Sequence, residues 1–251
     1  MSLSPYQQSI QDLHRADLYL HFYEELITDE ITRKQCTYIE KHAGITGPVS
    51  ILDLACGHGR HSRYWAGQGH EVTGIDLNAA FIDLARKEAE KQQMAASFQQ
   101  GDILDLSLQS SFDLAVLLFN SLGFFTETEI LTLLAKVEAS LKPGGYFCLD
   151  IQNRDRLLAG LQPTYLSEKG EDLMIDRISF DPISGTTTNQ RTYLKDGQRF
   201  ETPFTMYAYH YGDLKRMLKD SGFTVEKVLG GWQDEPFDHK ARRIFLMLKK
   251  Q

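Results

Sequence analysis

From residue 50 the chain alternates short apolar runs with amphipathic stretches. SILDLA (50–55) reads as a buried strand. RHSRYWAGQ (60–68) reads as a short helix stopped by Gly69, and EVTGID (71–76) as a second strand. AAFIDLARKEAE (79–90) places Phe81, Ile82, Ala85 and Ala89 on one side of a helix, and ASFQQGD (96–102) follows as a short strand. FDLAVLLFN (112–120) is the strongest strand pattern, an apolar run suited to cover on both faces. TETE (126–129) is a capping box, in which a Thr side chain and a Glu three residues on satisfy each other's free N–H groups. The helix it opens carries Ile130, Leu133, Leu134, Val137 and Leu141 at helical spacing. KPGG (142–145) stops that helix, and YFCLDI (146–151) is the next strand. DLKRMLKDSG, FTVEKVL and RRIFLMLKK close the chain as helix, strand and strand. Strands alternating with helices predict an α/β fold around a doubly wound, mostly parallel sheet of seven strands.

Two segments break this rhythm. Residues 1–45 are polar and helical in pattern, with Ser4-Pro5 as a start signal. A second helix there is capped near Thr28 or Asp29 and ended by Gly44. Residues 172–209 have no helical period; ISG and KDG mark turns between β-prone runs. They predict a small three-stranded antiparallel meander inserted into the α/β domain. The expected organisation is therefore an N-terminal helical segment (1–45), the main domain (46–171 and 210–251) and the insertion (172–209). The insertion leaves and re-enters near the sheet edge where ligands bind, so it is expected to govern an acceptor rather than a cofactor, or to serve as a dimer surface.

Charge narrows the partners. The net charge is -7 and no Lys/Arg cluster stands out, which argues against nucleic acid. Three widely spaced cysteines fit neither a disulfide scaffold nor a zinc site, and no metal is expected. No stretch reaches the apolar length of a membrane span and the N-terminus lacks an apolar signal core, so no membrane partner is expected and the default location is cytoplasmic.

Candidate chemistry centres on ILDLACGHGRHS (51–62). Ligands of open α/β sheets sit outside the strand carboxyl ends. Gly57 and Gly59 remove side chains where a ligand must touch backbone, and the helix that follows offers a partly positive N-terminus. Asp76 ends the second strand, where a carboxylate can accept both hydroxyls of a ribose. Asp102 follows the third strand and can accept from an adenine amine. Acids at sequential strand ends point to an adenosine. A pyrophosphate fingerprint would need a third glycine where Ser62 stands, and the early Asp53 suits a ligand carrying an ammonium group. His58 and His61 read as surface groups at the helix start.

The set resembles the class I S-adenosylmethionine-dependent methyltransferases, bacterial small-molecule type with a β insertion. LDLACGHGRHS looks like family motif I, VTGIDLN like motif II, GDILDL like motif III, FDLAVLLFNSLGFF like motif IV and LKPGGYFCLDI like motif V. YLHFYEEL before motif I and NRDRLL after motif V look like one bacterial subgroup. The resemblance implies a Rossmann-like fold, S-adenosylmethionine as cofactor and a small-molecule acceptor with an N or O nucleophile. It implies that Ala55, Cys56 and Gly57 line the methionyl part, Asp76 holds the ribose, Leu77 packs on adenine, and Asp102 and Ile103 meet its edge. Phe119 and Asn120 would close the site near the sulfonium, and Tyr19 and Tyr23 would cover it. Cys56 stands where many relatives carry glycine. The donor carries the activation, so a base is needed only for a protonated acceptor. Acceptor contacts would come from Asn120, Asn153, Arg154, Tyr209 and His210. Of these, His210, Tyr209 and Asn120 are the catalytic candidates, His210 for its unperturbed pKa. Two other readings stay open: a binding protein that holds the cofactor without transfer, and a NAD-dependent oxidoreductase.

Overall fold

The computed structural model describes residue 10, residues 15–105, residue 107 and residues 111–251. The Ser4-Pro5 start signal lies outside them. Helix α1 (Ala16–Tyr23) and helix α2 (Asp29–Ala43) precede the sheet domain. Thr28 caps α2 by accepting the Ile31 N–H, and Gly44 ends it in left-handed geometry.

The alternating region folds as strand β1 (Ser50–Leu54), α3 (Arg60–Gly67), β2 (Glu71–Asp76), α4 (Ala79–Lys91), β3 (Ala96–Gln100), β4 (Phe112–Leu117), α5 (Glu127–Ser140) and β5 (Leu141–Gln152). A short helix α6 (Arg154–Ala159) leads into β6 (Thr164–Lys169), β7 (Asp172–Asp181), β8 (Thr186–Lys195) and β9 (Gln198–Tyr207). Helix α7 (Tyr211–Leu218), β10 (Phe223–Leu229) and β11 (Arg243–Lys250) complete the chain.

The described residues form a seven-stranded sheet in the order β3-β2-β1-β4-β5-β11-β10. Strands β1 to β5 pair in parallel, and β11 runs antiparallel to both β5 and β10. Strand order reverses between β1 and β4, which opens a crevice beyond their carboxyl ends. Leu114, Ala115, Val116 and Leu117 of β4 are fully buried, because helices cover both faces. Phe81, Ile82, Ala85 and Ala89 of α4 are the buried stripe that the period marks out. At the start of α5 the Thr126 N–H donates to Glu129 at 2.7 Å and the Glu129 N–H donates to the Thr126 hydroxyl at 3.3 Å.

Three differences from the sequence reading have physical causes. KPGG does not separate helix from strand: β5 begins at Leu141 and absorbs those residues through a register irregularity opposite β4. Strand β4 ends at Leu117, short of Asn120, because Phe119 and Asn120 turn into left-handed geometry at φ 58° and 68°. Asp150 holds that turn: its carboxylate accepts the Phe119 N–H at 3.1 Å and its carbonyl the Asn120 N–H at 3.0 Å. The insertion is a four-stranded antiparallel sheet, β6-β7-β8-β9, from Thr164 to Tyr207. The reading missed β6 because its residues are nearly all exposed, so no apolar alternation marks it.

The small sheet packs on the N-terminal helix. Tyr193 and Met174 share a buried cluster with Leu18 of α1, flanked by Phe22, Tyr23 and Phe200. Arg191, which is buried, and Asp176, opposite each other across β7 and β8, form a two-bond pair at 2.6 and 2.7 Å.

Candidate cofactor-binding site

A cleft of about 940 Å³, counted to its open mouth, lies beyond the carboxyl ends of β1, β2 and β4. Asp53, Ala55, Cys56 and Gly57 line one wall, from the strand end and glycine turn. Asp76 and Leu77 line it after β2, and Asp102 and Ile103 after β3. Phe119 and Tyr19 contribute aromatic walls.

The two glycines of the turn have different work. Gly57 has φ 56°, and a Cβ there would meet nothing within 4 Å. Its missing side chain leaves space on the cleft side. Gly59 has φ 74°, but a Cβ there would stand 2.6 Å from the Phe98 ring. Gly59 was expected to face the ligand; it does not line the cleft and instead lets α3 approach Phe98. Cys56 resolves similarly. Its side chain packs with Ile82, Ala85 and Phe98, and burial pushes its thiol pKa up.

The acids are pre-set by backbone. Asp76 accepts the Gly57 N–H and the Asn78 N–H, each at 2.8 Å. Burial nevertheless pushes its carboxyl up from the usual range. Asp102 accepts the Leu104 N–H at 2.9 Å. Asp53 accepts the Ser62 hydroxyl at 2.6 Å, and burial pushes its pKa up to about 7.

Sequence reasoning missed Arg60 and misread its histidine neighbours. Arg60 lines the cleft, donates to the Thr32 hydroxyl at 2.9 Å and lies 5.8 Å from the Phe119 ring centre. Its position directly after the second glycine was the available signal. His58 and His61 are not surface groups. His61 is 6 % exposed and bonds Gln35 of α2 at 2.9 Å. Burial drives the His58 pKa down to about 3, so it enters the cleft uncharged. The packing of α2 over α3 covers a helix start that the local pattern left exposed.

Tyr19 and Tyr23 stack at 4.6 Å, and Tyr19 meets Phe81 edge-on at 5.4 Å. Only Tyr19 of the pair lines the cleft; Tyr23 stands between Tyr19 and Arg191 of the small sheet, whose guanidinium is 5.7 Å from its ring centre. Tyr23 is thus a support, one residue back from the expected contact.

The catalytic candidates do not converge. Asn120 accepts the Gln152 N–H at 2.8 Å and faces the Met206 sulfur at 3.8 Å, beside the cleft but not lining it. Tyr209 is buried and donates to the Phe125 carbonyl at 2.7 Å. His210 caps α7 by accepting the Asp213 N–H at 3.0 Å. Neither Tyr209 nor His210 lines the cleft. Asn153 is fully buried and bonds the carbonyls of Asp238 and Ala241, while Arg154 lies 3.6 Å from Asp213. Among the described residues no group of three His, Cys, Asp or Glu side chains is placed to hold a metal. No helix among them is long and apolar enough to cross a membrane.

Comparison with known proteins bears on this arrangement. The methyltransferase domain family matches residues 51–145. A putative methyltransferase of Geobacillus sp. (strain WCH70) is 24% identical over 243 residues, covering 92% of this chain and 98% of that protein. The dTDP-3-amino-3,4,6-trideoxy-alpha-D-glucopyranose N,N-dimethyltransferase of Streptomyces venezuelae is 24% identical over 189 residues, covering 72% of this chain and 78% of that protein. Among solved structures, an S-adenosylmethionine-dependent methyltransferase from Clostridium acetobutylicum superposes with TM-score 0.82 at 20% identity, covering 93% of this chain and 98% of that one.

Proposed function

Since this chain is a class I S-adenosylmethionine-dependent methyltransferase, we propose that it methylates an N or O nucleophile of a small-molecule acceptor by in-line displacement. The observation that carries the site reading is the meeting of three strand-end acids and an open glycine turn around one cleft. In this reading Asp76 takes the ribose hydroxyls, Asp102 the adenine amine, and Leu77 and Ile103 the adenine faces. Ala55, Cys56 and Gly57 offer backbone to the methionyl part. Its ammonium and carboxylate find opposite charge in Asp53 and Arg60.

The cofactor supplies an activated methyl on a sulfonium leaving group. The chain's part is to align the acceptor and keep water out. Tyr19, backed by Tyr23, covers the cleft, and Phe119 closes its far wall. Asn120 remains the polar side chain beside Phe119, as a positioning group. An amine acceptor needs no protein base once deprotonated, which fits the absence of a cleft-lining Tyr209 or His210. The likeness to the amino-sugar N,N-dimethyltransferase supports nitrogen as the accepting atom. A homodimer through the small sheet is part of the proposal, supported by exposed Leu166 and Ile183.

Calorimetric titration with S-adenosylmethionine and with NAD tests the cleft. Turnover of methyl-labelled cofactor on a panel of amines and hydroxy compounds tests transfer. Cofactor binding without transfer to any member of either class favours the non-catalytic reading.

A further inference from the structure

We infer that an arginine-lined basin beside the cleft binds a phosphoryl group carried by the acceptor. The inference rests on the reading that methyl transfer occurs at the Phe119–Asn120 turn. Arg156, Arg242 and Arg243 line the basin, with Tyr165, Gln152 and Leu157.

The basin adjoins the transfer edge through shared bonds. Arg243 grips Asp150 with two hydrogen bonds of 2.6 and 2.8 Å, and the same carboxylate accepts the Phe119 N–H. The Gln152 N–H donates to the Asn120 side chain at 2.8 Å. One turn therefore forms a wall of the cofactor cleft on one side and touches the basin on the other.

The basin is also built. Asn153, 0 % exposed, caps α6, which carries Arg156, and donates its N–H to the Arg242 carbonyl at 3.3 Å. Its side-chain amide donates to the Asp238 and Ala241 carbonyls at 3.0 and 2.9 Å. A single buried side chain thus fixes both backbones that present Arg156 and Arg242. Tyr165 is held by its hydroxyl, which donates to the Gly160 carbonyl and accepts the Gln162 N–H.

Arg243 is neutralised by Asp150, but the guanidiniums of Arg156 and Arg242 have neither a hydrogen bond nor a carboxylate partner among the described residues. Both side chains are exposed at the basin, and in a chain of 34 acidic and 27 basic side chains they meet no carboxylate there. Planar guanidinium forks match phosphoryl oxygens, and a dianion balances two cations where a carboxylate balances one.

The test uses inorganic pyrophosphate as probe and malonate as carboxylate control, with S-adenosylhomocysteine present. Binding is followed by the arginine Nε–H resonances of wild type and of the Arg156→Ala/Arg242→Ala double variant. Saturable millimolar pyrophosphate binding that shifts Arg156 and Arg242, and weakens at least about tenfold in the double variant, is expected. Affinity for S-adenosylhomocysteine should be the same in both proteins, which also shows that the variant folds. Pyrophosphate binding that the variant does not alter, no saturable binding to wild type, or equal binding of malonate overturns the inference. Failure of S-adenosylhomocysteine to bind wild type would instead overturn the reading of the cleft.

Discussion

The Ser62 hydroxyl donates to the Asp53 carboxylate at 2.6 Å, with both side chains buried. Ser62 occupies the place of a dinucleotide fingerprint's third glycine, and it ties the end of β1 to the first turn of α3. Burial pushes Asp53 up to about 7, although Ser62 and Arg60 pull it down; Asp76 pushes in the same direction as burial. Below that pH the cleft holds a neutral acid, and a ligand ammonium favours the carboxylate. Affinity for S-adenosylmethionine is therefore expected to rise between about pH 6 and about pH 8, with proton release on binding. Calorimetry in buffers of different ionisation enthalpy measures that release, and Asp53→Asn should remove it. The sign for stability is opposite. An unfolded Asp titrates near 4, so between about pH 4 and about pH 7 the folded chain binds more protons, and this contribution is lost as pH rises. PH-independent binding by wild type would contradict the assignment.

Asp76→Ala is expected to weaken S-adenosylmethionine binding by roughly tenfold to a hundredfold, from about 1.5–3 kcal/mol for a lost charged hydrogen bond. The same change strands the Gly57 and Asn78 N–H groups, which Asp76 now satisfies at 2.8 Å each. A loss of about 1–3 kcal/mol in stability should accompany it. Denaturant unfolding and calorimetry on one preparation separate the two effects, and unchanged affinity would remove Asp76 from the site.

The glycines give a paired test. Gly57→Ala places a methyl in open space with φ 56°, so the fold should survive with about 1–2 kcal/mol of strain while cofactor affinity falls. Gly59→Ala drives a methyl to 2.6 Å from Phe98, so it should cost more stability than Gly57→Ala. Equal melting points for the two variants would show that Gly59 does not serve packing.

What the sequence made legible follows from which signals are local. The period of α4, the Thr126–Glu129 box and the β4 run are properties of adjacent residues, and those elements formed there, with only the far ends shifted: β4 stops at Leu117 and α5 at Ser140. Strand-end acids such as Asp76 and Asp102 were legible because a turn after a strand is itself a local signal. Signals that depend on tertiary cover were not. The burial of His61 comes from α2, and β6 shows no alternation because almost every residue on it is exposed. Tyr209 and His210 looked chemical by residue type; their bonds to Phe125 and Asp213 are made only once α7 is placed.

Those bonds set a further expectation. His210→Ala removes a cap and should destabilise by about 1 kcal/mol, with turnover retained within about threefold. Tyr209→Phe frees the Phe125 carbonyl and should cost about 0.5–1.5 kcal/mol, again with turnover retained. Either variant losing turnover by about a hundredfold, with its fold intact, would restore that residue to the catalytic set.

The small sheet packs on the helix that carries Tyr19 to the cleft. Tyr193 is fully buried and packs with Leu18 and Met174, its ring 5.4 Å from Phe22. Helix α1, which carries Tyr19 to the cleft, has eight residues and no side-chain cap at its start. A helix that short has little stability of its own, so its position depends on this contact. Tyr193→Ala removes a buried ring, a change that costs about 3–5 kcal/mol in well-packed cores. Here the loss should appear as local detachment of α1 before the main sheet opens. Limited proteolysis should cut faster within Ala16–Tyr23, and S-adenosylmethionine affinity should drop by roughly tenfold as Tyr19 leaves the cleft. Thermal unfolding of the seven-stranded domain should change little. If cleavage in α1 and cofactor affinity both stay at wild-type values, the small sheet does not hold the cover and acts on the acceptor alone.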